Sequence, residues 1–251
     1  MILDTILQAT SERVAQLRDL PAIDPSSRHK SLRDAILSAH GRNAVIAELK
    51  YASPSAGSLN VKREPEEMAR AMIAGGCTAL SVLTEPAFFG GSVEILKKVQ
   101  KISPVPVLRK DFIISKRQVR ETQALGADAI LLIATILGER LASFVDVSLA
   151  LGLEPLVEVH TPGDVDTALA TRAGLIGINN RDLRTMATDL DTTRRLFPLL
   201  TGKGRLVISM SGISSSADIR YLKGCADAFL VGSAIMRSQH PQQCLEEFIS
   251  A

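Results

Sequence analysis

The chain has 251 residues, 46% of them hydrophobic and 22% charged, the balance of a soluble globular protein with a sizeable core. That length suits two small domains or one barrel of roughly 250 residues. With 29 basic and 27 acidic residues the net charge is +2, too even to draw in nucleic acid or a membrane surface, so any anion must be bound locally.

Residues 2–20 place Ile2, Leu3, Ile6, Leu7, Val14 and Leu17 at helical spacing, with Asp4, Glu12, Arg13 and Arg18 between them. An amphipathic helix that needs a body to lie on is expected there, and these charges argue against a signal peptide. A proline-bearing connector from Pro21 to Lys30 leads to Ser31, an N-cap for a short second helix through Ala39. Residues 1–42 are thus expected to form a helical extension in front of the main fold at 43–251.

From Asn43 the chain repeats apolar run, polar loop, amphipathic helix and glycine. The runs are 44–49, 78–83, 105–109, 128–133, 154–159, 174–179, 205–210 and 227–231. Helical patterns follow at about 65–74, 92–102, 116–125, 139–151, 162–172, 191–200, 215–223 and 241–250. Gly75, Gly126, Gly152, Gly174 and Gly224 are placed to end helices at positive φ. Alternation of this kind implies parallel pairing through right-handed crossovers, and strands apolar on both faces imply burial on both sides. Eight such units without a linker predict one domain, a closed (β/α)8 TIM barrel with an N-terminal helical extension. An open doubly wound sheet typically has fewer strands and an early nucleotide-binding glycine loop, and neither GxGxxG nor GxxxxGK[ST] occurs.

A barrel carries its chemistry at the carboxyl ends of its strands. Those ends supply Glu48 and Lys50, Thr84, Lys110, Glu158, Asn179 and Arg181, Ser209 and Ser211 with Gly212, and Gly232 with Ser233. Side chains alternate along a strand, so Glu48 and Lys50 share one face and pair an acid with a base. The loop beyond them, Ser53 to Gly57, offers hydroxyls and backbone N–H groups. The turns Ser211-Gly212-Ile213 and Val231-Gly232-Ser233 let backbone N–H groups approach an anion, and Ser214, Ser215 or Ser216 caps a helix whose positive end adds to the attraction. Together they predict a phosphate site after the last two strands. Lys50, Lys110 and Arg181 outnumber Glu48 and Glu158, which suits a substrate with a phosphate and a further carboxylate, the latter matched to the planar fork of Arg181.

Cys77, Cys225 and Cys244 are far apart and odd in number, as in a cytoplasmic protein with reduced thiols. The histidines, His29, His40, His160 and His240, never fall at ligand spacing, so no metal is expected. The longest apolar run, Ala129 to Leu137, is too short to span a bilayer.

In order along the chain stand Ile46-Ala47-Glu48-Leu49-Lys50 with Ser53-Pro54-Ser55, Leu83-Thr84-Glu85 with Phe88-Phe89-Gly90-Gly91-Ser92, and Leu108-Arg109-Lys110-Asp111-Phe112-Ile113. They continue with Gly126-Ala127-Asp128-Ala129-Ile130-Leu131-Leu132-Ile133, Leu156-Val157-Glu158-Val159-His160, Gly177-Ile178-Asn179-Asn180-Arg181-Asp182-Leu183, Ser211-Gly212-Ile213 and Val231-Gly232-Ser233-Ala234. These blocks resemble the indole-3-glycerol-phosphate synthases, ring-closing carboxy-lyases of tryptophan biosynthesis. The resemblance implies conversion of 1-(o-carboxyphenylamino)-1-deoxyribulose 5-phosphate to indole-3-glycerol phosphate, carbon dioxide and water, with no cofactor or metal. It implies Lys110 as general acid, Glu158 as base held by Asn179, and Lys50 with Glu48 in the dehydration. Phe112 would wall the anthranilate ring, Arg181 and Ser53 would hold its carboxylate side, and Ser211, Gly212, Gly232 and Ser233 would hold the phosphate. A monomer or weak homodimer in the cytoplasm is expected, with a small phosphorylated molecule as its partner.

Two positions depart from the family pattern. Met210 stands where a glutamate is usual and cannot transfer protons, and Tyr51 stands where a basic residue is usual. Two other readings compete. A sugar-phosphate isomerase of the phosphoribosylanthranilate isomerase type would need an acid and base poised for enolisation, usually a Cys/Asp pair, yet Cys77 and Cys225 lie near strand starts. A phosphate-binding barrel that has lost turnover has only Met210 in its support.

Overall fold

Eight parallel strands close on themselves: β1 (Ala44–Leu49), β2 (Ala79–Leu83), β3 (Val107–Lys110), β4 (Ala129–Ile133), β5 (Glu154–Val159), β6 (Leu175–Asn179), β7 (Leu206–Met210) and β8 (Ala228–Val231). The coordinates are a computed structural model that describes residues 2–17, 30–54, 57–59 and 63–251. β1 pairs β8 on one side, with Ile46 opposite Leu230, and β2 on the other, with Glu48 opposite Ser81. Alternate residues along the strands, Ile46, Leu108, Leu131, Leu156, Ile208 and Leu230 among them, form one buried cluster that fills the barrel. Their neighbours in sequence face the helices and form two further clusters. Burial on both faces is why these strands read as continuous apolar runs.

The strand boundaries coincide with the predicted runs to within two residues, and the helices Pro65–Ala74, Asp191–Leu200 and Pro241–Ser250 match end for end. The fold adds one-turn helices at Pro86–Phe89, Ala134–Leu137 and Ser233–Arg237, and a two-residue antiparallel ladder between Ala52–Ser53 and Gly57–Ser58. A single turn carries no period to read in sequence. The glycine expectation needs correction at two places. Gly75 ends its helix at φ −73° and Gly76, at φ 83°, makes the left-handed turn instead. Gly174 is likewise not in the left-handed region.

The extension forms two helices, α1 (Ile2–Ala15) and α2 (Leu32–Leu37), shorter than the predicted spans. Residues 18–29, which include the predicted end of the first helix and nearly all of the connector, lie outside the described residues. α2 sits at the amino ends of the strands. There Glu154, the first residue of β5, accepts from the N–H groups of Leu32 and Arg33 and from Ser31 Oγ, and Asp128, just before β4, accepts from Lys30 N at 2.8 Å. A carboxylate on the free N–H groups of a helix start is well placed to anchor it.

α1 sits at the opposite end. Arg13 donates from both Nη atoms to Asp111, at 2.9 and 2.7 Å, just past the end of β3. Asp111 also accepts from Thr84 Oγ1 at 2.7 Å, Arg109 Nη2 at 3.0 Å and its neighbour's N–H at Phe112 at 2.8 Å. Arg109 is fully buried, and its remaining donors reach Thr84 and Thr122 Oγ1, at 3.1 and 3.0 Å, while Glu121 Oε2 lies 2.7 Å from Nη2. Burial pushes the Asp111 carboxyl up, but Arg109, Arg13 and Thr84 outweigh it and hold the carboxyl below its ordinary range. Such a cluster need not add net stability over an apolar one, yet breaking it strands a charge.

Asp111→Ala is therefore expected to cost about 3–5 kcal/mol, read as a lower denaturant midpoint, because Arg109 loses a buried counter-charge. The folded pKa is depressed, so this contribution is complete above the unfolded carboxylate value and is lost as pH falls through the folded one. A midpoint unchanged at neutral pH would show that Asp111 does not hold this end of the barrel together.

Candidate active site

The carboxyl ends of the strands surround a cavity of about 600 Å³. Twelve of the residues singled out in the sequence line it: Glu48, Lys50, Ser53, Lys110, Phe112, Glu158, Asn179, Arg181, Ser211, Gly212, Gly232 and Ser233. Glu48, Lys110 and Glu158 each stand two residues after a side chain that packs the barrel interior, Ile46, Leu108 and Leu156, so the lumen-facing phase of the strand becomes the cavity-facing phase two steps on.

Glu48 is 4% exposed and is shared by two ammonium groups, Lys50 Nζ at 2.7 Å from Oε2 and Lys110 Nζ at 3.9 Å from Oε1. Burial pushes its carboxyl up, and Lys50 and Lys110 together outweigh that and hold it below the usual range. It is thus an anion at neutral pH that keeps two cations facing the cavity. A side chain on Gly232 would put its Cβ 2.5 Å from Glu48 Oε2 and 3.0 Å from Lys50 Nζ, so the glycine is required by the close approach of β8 to this pair.

Across the mouth, Asn179 Nδ2 donates to Glu158 Oε1 at 2.8 Å, and Asn179 Oδ1 accepts from Arg181 N at 3.0 Å. Both ends of the amide are used, which fixes its orientation. Glu158 is 3% exposed, and its Oε2 has no hydrogen-bond partner among the described residues. An unpaired, buried carboxylate oxygen at a cavity wall is placed to accept a substrate proton. Arg181 donates from Nη1 to Met186 O at 2.8 Å, and half-burial lowers its pKa, opposed by Glu48.

The turn after β7, the expected phosphate site, uses an unusual backbone. Ser211 adopts φ 67°, a left-handed conformation that costs a non-glycine residue about 1–3 kcal/mol, and Asn180 Nδ2 stabilises it by donating to Ser211 O at 3.0 Å. At Gly212, φ is 82°, and a Cβ would lie 2.5 Å from Thr188 Cγ2. Gly232 opens the short helix Ser233–Arg237 with no side-chain cap, so the first N–H groups of that helix remain available at the cavity. The apolar wall is Phe112 with Phe89, ring centroids 6.0 Å apart, together with Leu131, Ile133 and Leu183.

Several expectations are corrected. Thr84 and Ser209 do not reach the mouth: Thr84 belongs to the Arg109–Asp111 network, and Ser209 is paired with Thr193 Oγ1 at 2.8 Å and Asn180 Nδ2 at 3.1 Å behind the wall. The strand alternation that turns Met210 inward turns Ser209 outward. Ser215 is the N-cap of the helix after β7, in a capping box with Asp218, but Asp218 takes the N–H and hydroxyl of both Ser214 and Ser215 and sets a negative charge against the positive end of that helix. Glu48 pairs with Lys50 as their shared face implied and engages Lys110 as well, while Arg237 joins the lining unforeseen. Met210 is buried and lies outside the lining; its Cε and Sδ occupy the space a side chain on Gly177 would need. Tyr51 is also outside the lining, its hydroxyl donating to Arg63 O at 3.4 Å. Ser55 and residues 56, 60 and 61 of the loop after β1 lie outside the described residues. Phe89 and Leu131 could have been found from the quoted family blocks, while Met186, on a long polar loop, had no signal. Cys77 is buried just before β2 and Cys225 precedes β8, both at the amino ends and away from the cavity, which removes the isomerase pairing. Among the described residues no cluster of His, Cys, Asp or Glu could hold a metal ion, and no helix is long and apolar enough to cross a membrane.

A sequence profile of the indole-3-glycerol phosphate synthases matches residues 3–248. The chain belongs to the indole-3-glycerol phosphate synthase family. An indole-3-glycerol phosphate synthase of Carboxydothermus hydrogenoformans is 41% identical over 264 aligned positions covering 100% of both chains. One of Laribacter hongkongensis is 39% identical over 255 positions, 97% of each. In three dimensions a thiamine phosphate pyrophosphorylase from Pyrococcus furiosus aligns with TM-score 0.61 at 17% identity, over 87% of this chain and 96% of that one, a likeness of fold alone. Family membership makes the protein an enzyme, a carboxy-lyase of tryptophan biosynthesis.

The balance at Glu48 gives a direct test of the charge arrangement. In Lys50→Met the carboxyl of Glu48, followed by carbon-13 NMR titration, is expected to move up, because burial is then opposed only by Lys110 and Arg181. An unmoved titration would mean that Lys50 is not what keeps Glu48 ionised.

Proposed function

We propose that this chain closes the indole ring of 1-(o-carboxyphenylamino)-1-deoxyribulose 5-phosphate with Lys110 as the first acid and Glu158 as the base. The observation that carries these roles is that both side chains line one cavity, which also contains the two glycine turns suited to a phosphate and the aromatic wall suited to an anthranilate ring.

The reaction needs three things of the protein. The ribulose carbonyl must become electrophilic while the ring carbon that bears the carboxylate attacks it. Lys110, an ammonium beside buried Glu48 with its own side chain mostly buried, donates to that oxygen as negative charge develops there. The carboxylate then leaves as carbon dioxide, its electron pair returning to the ring. Last, the new hydroxyl departs as water after taking a proton, and a proton is withdrawn to complete the indole. Glu158, with Oε2 open to the cavity and Oε1 held by Asn179, takes that proton, while Lys50, paired to Glu48, assists departure of the hydroxyl.

Binding is divided by charge type. The phosphate rests on the N–H groups around Ser211-Gly212 and Gly232-Ser233. Arg181, with Ser53 nearby on the rim, faces the carboxylate, and Phe112 with Phe89 packs on the ring. Met210 fills the barrel beneath Asn179 with apolar volume, so the general acid is balanced by Glu48 alone rather than by a further carboxylate from β7. The free cysteines favour a cytoplasmic setting, and the scattered exposed apolar side chains, Leu37, Leu199 and Tyr221, favour a monomer or weak homodimer.

Assay of indole-3-glycerol phosphate formation tests the assignment. Lys110→Ala is expected to lower kcat by roughly 10²–10⁴ while product binding, measured by calorimetry, stays within about threefold of wild type. Full activity in that variant would remove Lys110 from the role of acid.

A further inference from the structure

His160 is half-buried immediately behind the cavity and is absent from its lining. Its Nδ1 lies 2.8 Å from the main-chain oxygen of Asn179, and its own N–H donates to Asp164 Oδ2 at 3.1 Å. A carbonyl oxygen can only accept, so Nδ1 carries a proton and donates. The other ring nitrogen, Nε2, faces Asp182 Oδ2 at 3.9 Å. Asp182 in turn accepts from Arg184 N at 2.7 Å and anchors the loop that returns to Met186 O, the acceptor for Arg181. Asp164 also takes Thr135 Oγ1 at 2.9 Å and Thr161 N at 2.9 Å, so the histidine's own backbone is tied to a helix start.

We propose that His160 is a positioning residue for the base: its Nδ1–H holds the Asn179 backbone at the height where the Asn179 amide meets Glu158 Oε1. The chain of contacts is continuous, from helix start to His160, from His160 to the Asn179 carbonyl, and from the Asn179 amide to the carboxylate at 2.8 Å. The same ring packs the ends of β5 and β6 in register beyond the last ladder pair, Val159 opposite Ile178. No other described side chain bonds the Asn179 oxygen, so removing the imidazole takes away this side-chain tie and lets Asn179 move relative to Glu158. Arg181 is less affected, because Met186 O and the bridge to Thr188 hold it separately.

The inference rests on Glu158 acting as base, and the experiment separates the two. An asparagine amide nitrogen superposes on imidazole Nδ1, whereas a glutamine amide nitrogen superposes on Nε2. Steady-state kinetics are measured for His160→Asn, His160→Gln and His160→Phe, with thermal midpoints recorded, beside Glu158→Gln. The glutamine and phenylalanine variants are expected to lose about tenfold in kcat with KM within about twofold, since a misplacement well below 1 Å already costs rate. The asparagine variant is expected to stay within about threefold of wild type. If the phenylalanine variant does not fold, the comparison of asparagine with glutamine decides. Equal kcat in those two variants, whether both intact or both impaired, overturns the positioning role. Retained activity in Glu158→Gln would instead overturn the assignment of the base.

Discussion

A buried carboxylate between two ammonium groups is the constraint on which this site depends. Glu48 is inside the protein, where an isolated carboxylate would take up a proton. Lys50 at 2.7 Å and Lys110 at 3.9 Å prevent that, and in return the anion keeps both cations turned into the cavity. It also bears on sequence elsewhere: a side chain on Gly232 would have to displace the Glu48–Lys50 pair, and that bare backbone is half of the proposed phosphate site. One ion pair thus links the proposed acid, its neighbour and the proposed phosphate end of the cavity.

The supports of the site differ in kind around the rim. Beside Lys110 the backing is ionic, with Arg109 and Asp111 buried and Arg13 reaching in from α1, so the N-terminal extension is wired to the strand that carries Lys110. Beside Glu158 the backing is made of neutral hydrogen bonds through Asn179 and His160. Beneath the site, Met210 and Gly177 fill the barrel as a complementary pair of large and absent side chains. Lys110 is thus backed by charges, and Glu158 by directional bonds that leave one oxygen open.

Much of this could be read in advance. Each strand is buried on both faces and therefore appears as an apolar run, and the first polar residue after it falls at the mouth by alternation alone; Glu48, Lys110, Glu158 and Asn179 were found that way. The same rule failed at Thr84 and Ser209, where the phase at the strand end points outward to the helices. Asp111 looked like one more charge in a motif, because nothing in sequence shows that two arginines from distant segments close on it. The short helix Ser233–Arg237 is hidden by its length, and at the helix after β7 the serine cap is legible while the carboxylate of Asp218, three residues in, that folds back over it is not. The reaction itself came from the quoted blocks and the family match; composition and spacing reached only a phosphate-binding barrel with an acid and a base.

The central claim is one funnel with an anion cradle on one side and a proton-transfer pair on the other. A crystal structure with indole-3-glycerol phosphate bound tests it most directly. The account places the phosphate oxygens on the backbone of Ser211-Gly212 and Gly232-Ser233, the indole against Phe112, and Lys110 Nζ and Glu158 within hydrogen-bond reach of the heterocycle's reacting side. A phosphate seated on Arg181, with the indole turned away from Lys110 and Glu158, would contradict it.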